Sequence, residues 1–365
     1  MKVPFACFDR ANVSSRPALD AAYQRVIDSQ WFILGREVEG FERDFAAFCG
    51  AKYCVGVANG LDAIQLLLVA SEVGPGAEVI VAANTYIATW LGVSHAGARP
   101  IPVEPDAATF NLDPGRIADK ITSRTRAIFG THLYGRAGAC VEIDAIGHEH
   151  NLPVFWDAAH AHGATVEGQP ICRFGNASAF SFYPTKNLGC LGDGGAVVTN
   201  DSALADKVRR LRNYGCHRRY ENECLGYNSR LDELQASFLR VKLPELVNLN
   251  AKRATAAGAY KDGLSAVPGI VLPEVVDGHV WHLFVIRHPE RDDLRQHLLK
   301  HGIQTDIHYP TPPHLQPAYS GLGFRIGDFP ISEKIHREVL SLPMHPFLSQ
   351  DEIAHVCATV KTFCI

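Results

Sequence analysis

The chain has 365 residues, of which 47% are hydrophobic and 20% charged, so it is long enough to bury a core and to form two domains, or one large domain with an appendage. Its formal net charge of −4 provides no overall attraction for nucleic acid, so we expect no nucleic-acid partner. The longest purely apolar stretches, such as residues 64–70, are too short to cross a bilayer, and the first residues carry no apolar run of signal-peptide length. We therefore expect a cytoplasmic protein with no membrane partner.

Ten cysteines are scattered singly along the chain, and none forms a CxxC pair. A disulfide framework or a zinc site usually shows cysteines at short, regular spacing, so we expect reduced and mostly buried thiols. His160 and His162 are two residues apart with no third ligand nearby, which disfavours a metal site there. No metal is expected.

The chain begins with two predicted helices and continues with strand-like runs that alternate with helical segments. This alternation is typical of an α/β domain with a largely parallel sheet. The last strand of the region is predicted to turn back antiparallel. The first two helices cover residues 17–30 and 37–50; the strands cover 53–58, 78–83, 99–105, 126–135, 153–159, 178–184 and 192–200; the helices between them cover 61–73, 85–96 and 141–150.

After residue 201 the composition changes to long helices and then to a second alternating region. Pro244 is predicted to break or kink the longest helical run. We predict a large domain over residues 1–250 and a smaller α/β domain over residues 251–365. In this half, helices are predicted over 203–215, 231–265 and 291–302, a strand over 279–289, and a loop rich in proline and histidine over 307–319.

Two polar segments follow predicted strands, at the edge where open α/β sheets bind ligands. Asn59 and Gly60 form a turn into a helix, so the amides of Gly60, Leu61 and Asp62 can bind a phosphate, or the turn is a plain helix start. Asp157 ends an apolar strand. Its carboxylate can pair with a protonated ring nitrogen, as pyridoxal phosphate requires, or it can cap a helix.

A third segment places Lys186 in a glycine-rich loop directly after a strand. A buried lysine with a lowered pKa can form a Schiff base and move protons, whereas a surface lysine in a loop does neither. Together with Asp157 on another strand end, Lys186 fits a pyridoxal phosphate site. A fourth segment places Asn228 and Arg230 before an apolar helix, where by itself it indicates a helix start.

These segments, in this order, resemble the DegT/DnrJ-type sugar aminotransferases, which have the aspartate-aminotransferase-like (type I) fold of pyridoxal-phosphate enzymes. That fold implies a large α/β/α domain with a mostly parallel sheet and a smaller C-terminal α/β domain. The resemblance runs nearly end to end and is specific in the joint order of its parts. It is carried by FILGREVEGFERDFAAFCG (32–50), ANTYIATW (83–90), THLYG (131–135), WDAAHAHGA (156–164), FSFYPTKNLGCLGDGGAVVTND (180–201), GYNSRLDELQA (226–236), HVWHLFVIR (279–287), IHYP (307–310) and LSLPMHP (340–346).

The resemblance implies how the cofactor, pyridoxal 5′-phosphate, is held. Lys186 is implied as the Schiff-base lysine and proton carrier, and Asp157 as the partner of the ring nitrogen. The other implied contacts are Tyr86 stacking on the ring, His160 beside the ring hydroxyl, Ser181 with the amides of Gly60 and Leu61 on the phosphate, and Asn228 reaching that phosphate from the neighbouring subunit of a homodimer. Many members carry a small hydroxyl residue at the position of Leu61, so phosphate binding there must depend on backbone amides.

The NGLDA, HLYG, NYG and GYNSR segments look most like members that act on dTDP-linked 3-keto-6-deoxyhexoses. The resemblance therefore implies transfer of an amino group from L-glutamate, through the pyridoxamine phosphate form, to give a dTDP-3-amino-3,6-dideoxyhexose for glycan or secondary-metabolite biosynthesis. The implied substrate contacts are Tyr183, Arg218, Arg219, His308 and Tyr309. Arginine suits a diphosphate and aromatic rings suit a thymine, although the two arginines can equally be solvated loop charges.

Three other functions stay open at this point. A sibling enzyme of the same fold can aminate a nucleotide-linked 4-keto sugar or a keto-cyclitol, because no spacing in the sequence dictates which carbon meets the cofactor. A sugar dehydratase of this fold is disfavoured, since those enzymes replace the lysine with histidine. A regulatory or sensor protein without chemistry is disfavoured because it needs neither Lys186 nor Asp157.

Overall fold

The structure is a computed structural model that describes residues 1–13, 15–218 and 220–364. The strands are short, and their bounds are β1 (Tyr53–Val57), β2 (Glu78–Ala82), β3 (Arg99–Val103), β4 (Thr125–Thr131), β5 (Val154–Asp157), β6 (Thr165–Val166), β7 (Gln169–Pro170), β8 (Ala177–Ser181), β9 (Gly195–Thr199), β10 (Cys216–Arg218), β11 (Glu221–Asn222), β12 (Phe284–Arg287) and β13 (Val339–Leu342).

The helices that accompany these strands lie in both halves of the chain. Their bounds are α1 (Phe8–Val13), α2 (Arg16–Ser29), α3 (Arg36–Phe48), α4 (Gly60–Ala70), α5 (Ile87–His95), α6 (Cys140–Glu149), α7 (Ser202–Leu211), α8 (Glu233–Lys242), α9 (Leu246–Leu264), α10 (Arg291–Lys300), α11 (Pro330–Glu338) and α12 (Gln350–Cys364).

A seven-stranded sheet organises the first half of the chain, with the spatial order β1–β9–β8–β5–β4–β2–β3. Strands β3, β2, β4, β5 and β8 run parallel, whereas β9 is antiparallel to both of its neighbours. The predicted parallel sheet and its antiparallel exception are therefore confirmed. Strands β2 and β9 are buried at every residue, which is expected where helices cover both faces of a sheet.

Helices pack on both faces of this sheet, as the α/β/α prediction requires. Helices α4, α5 and α7 share one apolar cluster with β2, β4 and β9, and α3 and α8 share another with β8 and β9. The second cluster is centred on Phe41 and Phe45, whose rings meet Phe182 edge to face at 5.2 Å. Helices therefore cover both faces of the seven-stranded sheet.

The C-terminal part has its own core around the antiparallel pair β12 and β13, packed against α9, α10 and α12. Val3 lies in this core and pairs with Ile303, so the first residues of the chain belong to it. Helix α9 contributes Leu246 to one cluster and Tyr260 to the other, so the predicted boundary at residue 250 falls inside a helix. The division into two domains stays a prediction.

Two predictions in this half have contrasting outcomes. The break at Pro244 is confirmed, because α8 ends at Lys242 and a 3-10 turn, Leu243–Glu245, precedes α9. The strand predicted over residues 279–289 is wrong in its first half, because only Phe284–Arg287 are extended. Trp281 has a φ of +49°, which ends the extended backbone, and its ring stacks on that of His279 at 3.7 Å.

All ten cysteines lie within the described residues and are free thiols; seven are buried, Cys216 and Cys364 are half-buried, and Cys224 is exposed. Among the described helices, none combines the length and the apolar character that crossing a bilayer requires. The described side chains also hold no group of three or more histidine, cysteine, aspartate or glutamate residues arranged for a metal ion.

Glu233, the first residue of α8, binds the N-terminus of α3. Its carboxylate accepts hydrogen bonds from the backbone amides of Gly35, Glu37 and Val38 at 2.7–2.9 Å, and the residue is 3% exposed. We expect Glu233→Ala to lower the free energy of unfolding by about 3 kcal/mol, because it leaves buried amides without an acceptor. Urea unfolding followed by circular dichroism measures this. Glu149→Ala, an exposed glutamate of α6, is the control; an equal effect of the two would contradict the role of Glu233.

Candidate active site

The carboxyl ends of the central strands meet at one edge of the sheet and surround a cavity of about 560 Å³. Asn59 follows β1, Thr131 ends β4, Asp157 ends β5 and Ser181 ends β8, and all four line this cavity. Open α/β sheets bind their ligands at this edge. The cavity also contains most of the predicted site residues, namely Gly60, Leu61, Tyr86, His160, Tyr183, Lys186, His308 and Tyr309.

The turn from β1 into α4 forms a cradle of backbone amides. Asn59 caps α4, and its side chain accepts a hydrogen bond from the amide of Asp62 at 2.8 Å. The prediction that the Asp62 amide receives a phosphate is therefore wrong, because Asn59 already uses it. The amides of Gly60 and Leu61 lie in the first turn of the helix, where no carbonyl of the helix can accept from them.

Gly60 cannot carry a side chain at this position. A Cβ placed on it would lie 2.7 Å from Cβ of Ser181, so a larger residue would separate α4 from the end of β8. The hydroxyl of Ser181 therefore stands beside the first turn of α4. Two amides and one hydroxyl at a helix N-terminus are the donors that a phosphate group binds.

Asp157 is 6% exposed and lies deep in the cavity. Its Oδ2 accepts a hydrogen bond from Thr89 Oγ1 at 2.7 Å, and its Oδ1 accepts one from the amide of Ala159 at 3.1 Å. Burial raises the pKa of this carboxyl, and the two hydrogen bonds oppose that effect. The segment after Asp157 forms turns, so the alternative that Asp157 caps a helix does not fit the structure.

Hydrogen bonds fix the loop that carries Lys186. Its amide donates to the carbonyl of Tyr183 at 2.8 Å, and the next residue, Asn187, binds the side chain of Asn250 and the carbonyl of Val280, both at 2.9 Å. Loss of solvation lowers the pKa of Lys186 to about 8, while the nearby charge of Asp157 acts in the opposite direction. The lysine is thus a half-buried amine in a cavity, not a solvated surface charge.

His160 is buried beside Lys186, and its protonation state follows from its contacts. Its Nδ1 accepts a hydrogen bond from the amide of Tyr134 at 3.2 Å, and burial lowers its pKa well below the usual range. The ring is therefore neutral with its proton on Nε2, which can donate to an oxygen in the cavity. His282 packs against it with ring centroids 4.5 Å apart.

Aromatic and polar groups line the mouth of the cavity. Tyr86 is half exposed, and its ring lies 4.8 Å from that of Tyr309. His308 bonds Ser341 through Nδ1 at 2.9 Å, and the hydroxyl of Tyr134 donates to the carbonyl of His308. The rings at the mouth are therefore fixed by contacts with the C-terminal part of the chain.

A second cavity of about 390 Å³ adjoins the first. Lys186, Tyr183 and His308 line both cavities, so the amine of Lys186 lies where the two meet. Residues of the N-terminal segment and of α9 form much of its remaining wall. The two cavities together offer space for a ligand larger than a single ring.

Three predicted residues are not brought into this cavity. Asn228 is exposed and pairs with Asn213 through its backbone, and Arg218 is exposed on β10. Arg219 lies outside the described residues. The neighbouring Arg230 bonds the side chain of Asn213 at 2.9 Å, which fixes the backbone that carries Asn228.

Comparison with known proteins identifies the family. Residues 15–361 match the model of the DegT/DnrJ/EryC1/StrS aminotransferase family. The chain belongs to this family. It is 50% identical to the dTDP-3-amino-3,6-dideoxy-alpha-D-galactopyranose transaminase of Aneurinibacillus thermoaerophilus, and 50% identical to the erythromycin biosynthesis sensory transduction protein EryC1 of Saccharopolyspora erythraea; each match covers 99% of both proteins. The crystal structure of S. venezuelae DesV in complex with a ketimine intermediate superposes with a TM-score of 0.98 at 46% identity, over 100% of this chain and 98% of that one.

This DegT/DnrJ/EryC1/StrS family member is therefore an aminotransferase of the type I fold, and its cofactor is pyridoxal 5′-phosphate. The cavity fits that cofactor. The amides of Gly60 and Leu61 with Ser181 would hold the phosphate, Asp157 would face the ring nitrogen, and His160 would donate to the ring hydroxyl. Lys186 lies in the same cavity with a lowered pKa, as attachment of the aldehyde requires.

Several residues around the site carry no distinctive signal in the sequence. Thr85, Thr131 and His282 line the cavity, and Thr89 bonds Asp157 from behind. All four occur in segments that resemble the family, but threonine and histidine in a strand or helix are common residues of a folded core.

Proposed function

We propose that this aminotransferase transfers an amino group from L-glutamate to a dTDP-linked 3-keto-6-deoxyhexose, giving a dTDP-3-amino-3,6-dideoxyhexose. The observation that carries the proposal is the presence of Lys186 and Asp157 in one cavity, a proton carrier beside a partner for a protonated ring nitrogen. The name of the A. thermoaerophilus relative supports the substrate class, because the likeness extends over the full length of both proteins.

The bound cofactor supplies an aldehyde that exchanges an amino group and a ring that withdraws electrons. Lys186 Nζ removes a proton from the carbon that carries the donor's amine and delivers a proton in the second half of the cycle. A pKa of about 8 suits both directions, because the neutral amine and the ammonium are then both populated near neutral pH. Asp157 keeps the ring nitrogen protonated, and His160 Nε2 donates to the ring hydroxyl.

The nucleotide-linked substrate enters over the aromatic mouth of the cavity. Tyr183, His308 and Tyr309 contact the nucleotide, since aromatic rings suit a thymine. Arg218 and Arg219 bind the diphosphate, because a guanidinium pairs with phosphate in a bidentate manner.

The exposure of Asn228 supports a homodimer in which it reaches the cofactor phosphate of the neighbouring subunit. Ten free thiols favour the reducing cytoplasm as the site of the reaction.

A second candidate function follows from the name of the S. erythraea relative, which describes a sensory transduction protein. A protein that only binds a ligand needs neither an amine with a lowered pKa nor a buried carboxylate facing the ring. The retention of both groups favours catalysis over sensing in this chain.

A half-reaction tests the proposed function. The enzyme is loaded with pyridoxamine phosphate, and dTDP-linked 3-keto and 4-keto 6-deoxyhexoses are added separately while absorbance of the aldehyde form of the cofactor is followed. We expect that form to return with the 3-keto sugar alone. Return of the aldehyde form with the 4-keto sugar alone would instead show that the enzyme aminates a nucleotide-linked 4-keto sugar.

If the absorbance of the aldehyde form returned with neither sugar, the proposal would be contradicted, and keto-cyclitols would be tested next. The same measurement with Lys186→Ala is the matched control, because that variant keeps the cavity but lacks the proton carrier. Detection of the amino sugar by mass spectrometry distinguishes transfer to substrate from hydrolytic loss of the amine.

A further inference from the structure

Three buried threonine hydroxyls form a continuous chain that ends on the carboxylate of Asp157. Thr131 Oγ1 donates to Thr85 Oγ1 at 3.2 Å, the hydroxyls of Thr85 and Thr89 lie 2.9 Å apart, and Thr89 Oγ1 donates to Asp157 Oδ2 at 2.7 Å. The three threonines are at most 4% exposed. The three hydroxyl groups are therefore largely shielded from bulk solvent.

The direction of every hydrogen bond in this chain depends on the charge of Asp157. An ionised carboxylate only accepts, and a threonine hydroxyl has a single proton to donate. If Asp157 is ionised, Thr89 donates to it, Thr85 donates to Thr89, and Thr131 donates to Thr85. Hydrogen bonds aligned in this way polarise one another, so the last donor binds an anion more strongly than an isolated hydroxyl does.

The chain joins parts of the molecule that are distant in sequence. Thr85 lies in the loop after β2, Thr89 in the first turn of α5, and Thr131 at the end of β4. Thr85 and Thr131 line the cavity, whereas Thr89 is fully buried behind Asp157 and is not among the residues that line it. The hydroxyl of Thr89 can therefore act on the cofactor only through Asp157.

We propose that this threonine chain keeps Asp157 ionised and aimed at the ring nitrogen of the cofactor, which makes Thr89 a positioning residue of the reaction. The proposal depends on the role of Asp157 given under the proposed function. Burial alone favours the neutral acid, in which state the carboxyl could not hold a protonated ring nitrogen. Two hydrogen bonds oppose that tendency, and the one from Thr89 is the shorter.

Cofactor binding to the apo-protein tests this role of Thr89. Thr89→Val keeps the shape of the side chain and removes the hydroxyl, so we expect the dissociation constant of pyridoxal phosphate to rise about tenfold, as loss of one hydrogen bond to a charged group predicts. Thr89→Ser keeps the donor and is expected to bind within about twofold of the natural protein. Thr359→Val, which removes a buried hydroxyl in α12, is the control for the substitution itself.

A double-mutant cycle with Asp157→Asn separates electrostatics from packing. In the Asp157→Asn background we expect Thr89→Val to change the dissociation constant by less than about twofold, because the charge on which the hydroxyl acts is gone. A tenfold effect in both backgrounds would overturn the proposal. If Asp157→Asn alone left cofactor affinity unchanged, the assigned role of Asp157 would fail instead, so the two failures are distinguishable.

The protonation state of the ring gives a readout that packing would not move. With cofactor labelled by ¹⁵N at the ring nitrogen, nuclear magnetic resonance follows the protonation of that nitrogen as the pH is raised. We expect the nitrogen to be protonated in the natural protein, and to lose its proton at a lower pH in Thr89→Val than in the natural protein. Should Thr89→Val fail to fold, Thr131→Val at the far end of the chain is expected to shift the same transition in the same direction by a smaller amount. An unchanged transition in a folded variant would overturn the proposal.

Discussion

Lys186→Ala is expected to slow both half-reactions about ten-thousand-fold or more, because it removes the nucleophile that holds the cofactor and the base that moves the proton. Among the described residues, no other lysine lines the first cavity, which contains Asp157. Lys242 lines the second cavity, but its Nζ donates to the carbonyl of Gly189 at 2.7 Å and is occupied there. We therefore do not expect a neighbouring lysine to replace the amine of Lys186 and restore the rate.

Two measurements on Lys186→Ala give independent answers. Borohydride reduction of the loaded natural protein is expected to fix the cofactor on the peptide that contains Lys186, and mass spectrometry of the variant should show no such adduct. Single-turnover kinetics with L-glutamate then measures the rate. Lys207→Ala, which removes an exposed lysine paired with Glu72, is the matched control. Rapid turnover by Lys186→Ala would contradict its assignment.

The sheet is predictable from the sequence because its strands are short, strongly apolar runs. Buried runs such as residues 78–82 and 195–199 alternate with helical segments, and a parallel order follows from that alternation. The strand predicted at residues 279–289 failed because its first half has the same apolar pattern but different contacts. Trp281 and His282 there turn away from the extended path; His282 bonds Asn187 at 3.1 Å, 95 residues away in sequence.

The site was predictable to the extent that single residues stand at strand ends. Asp157 and Lys186 indicate the site only together, because each alone has an ordinary structural role, as a helix cap or as a surface lysine in a loop, whereas an acid and a lysine after two buried strands fit pyridoxal phosphate. The threonine chain was not predictable, because its members are ordinary core residues until folding brings Thr131 within 3.2 Å of Thr85. The phosphate contact predicted for the amide of Asp62 is wrong because the side chain of Asn59 accepts the hydrogen bond from that amide, a contact that exists only in the folded turn.

Asp157→Asn is the second variant with a large expected effect. The amide has nearly the shape of the carboxylate but carries no charge, so it cannot keep the ring nitrogen protonated. We expect the rate of each half-reaction to fall by a factor on the order of a hundred to a thousand, as loss of one well-aimed electrostatic contact in a shielded site does. Single-turnover kinetics with L-glutamate and with the keto sugar measures this.

A cofactor methylated on its ring nitrogen identifies the cause of that loss. Such a ring is permanently positive and has no proton for Asp157 to hold, so it supplies the charge that Asp157→Asn fails to maintain. We expect the methylated cofactor to raise the rate of the variant about tenfold or more over the ordinary cofactor, and not to raise that of the natural protein. Thr89→Val should respond in the same direction but less, because it retains the carboxylate. If methylation left Asp157→Asn as slow as before, the carboxylate would be acting on the shape of the site and not on the charge of the ring.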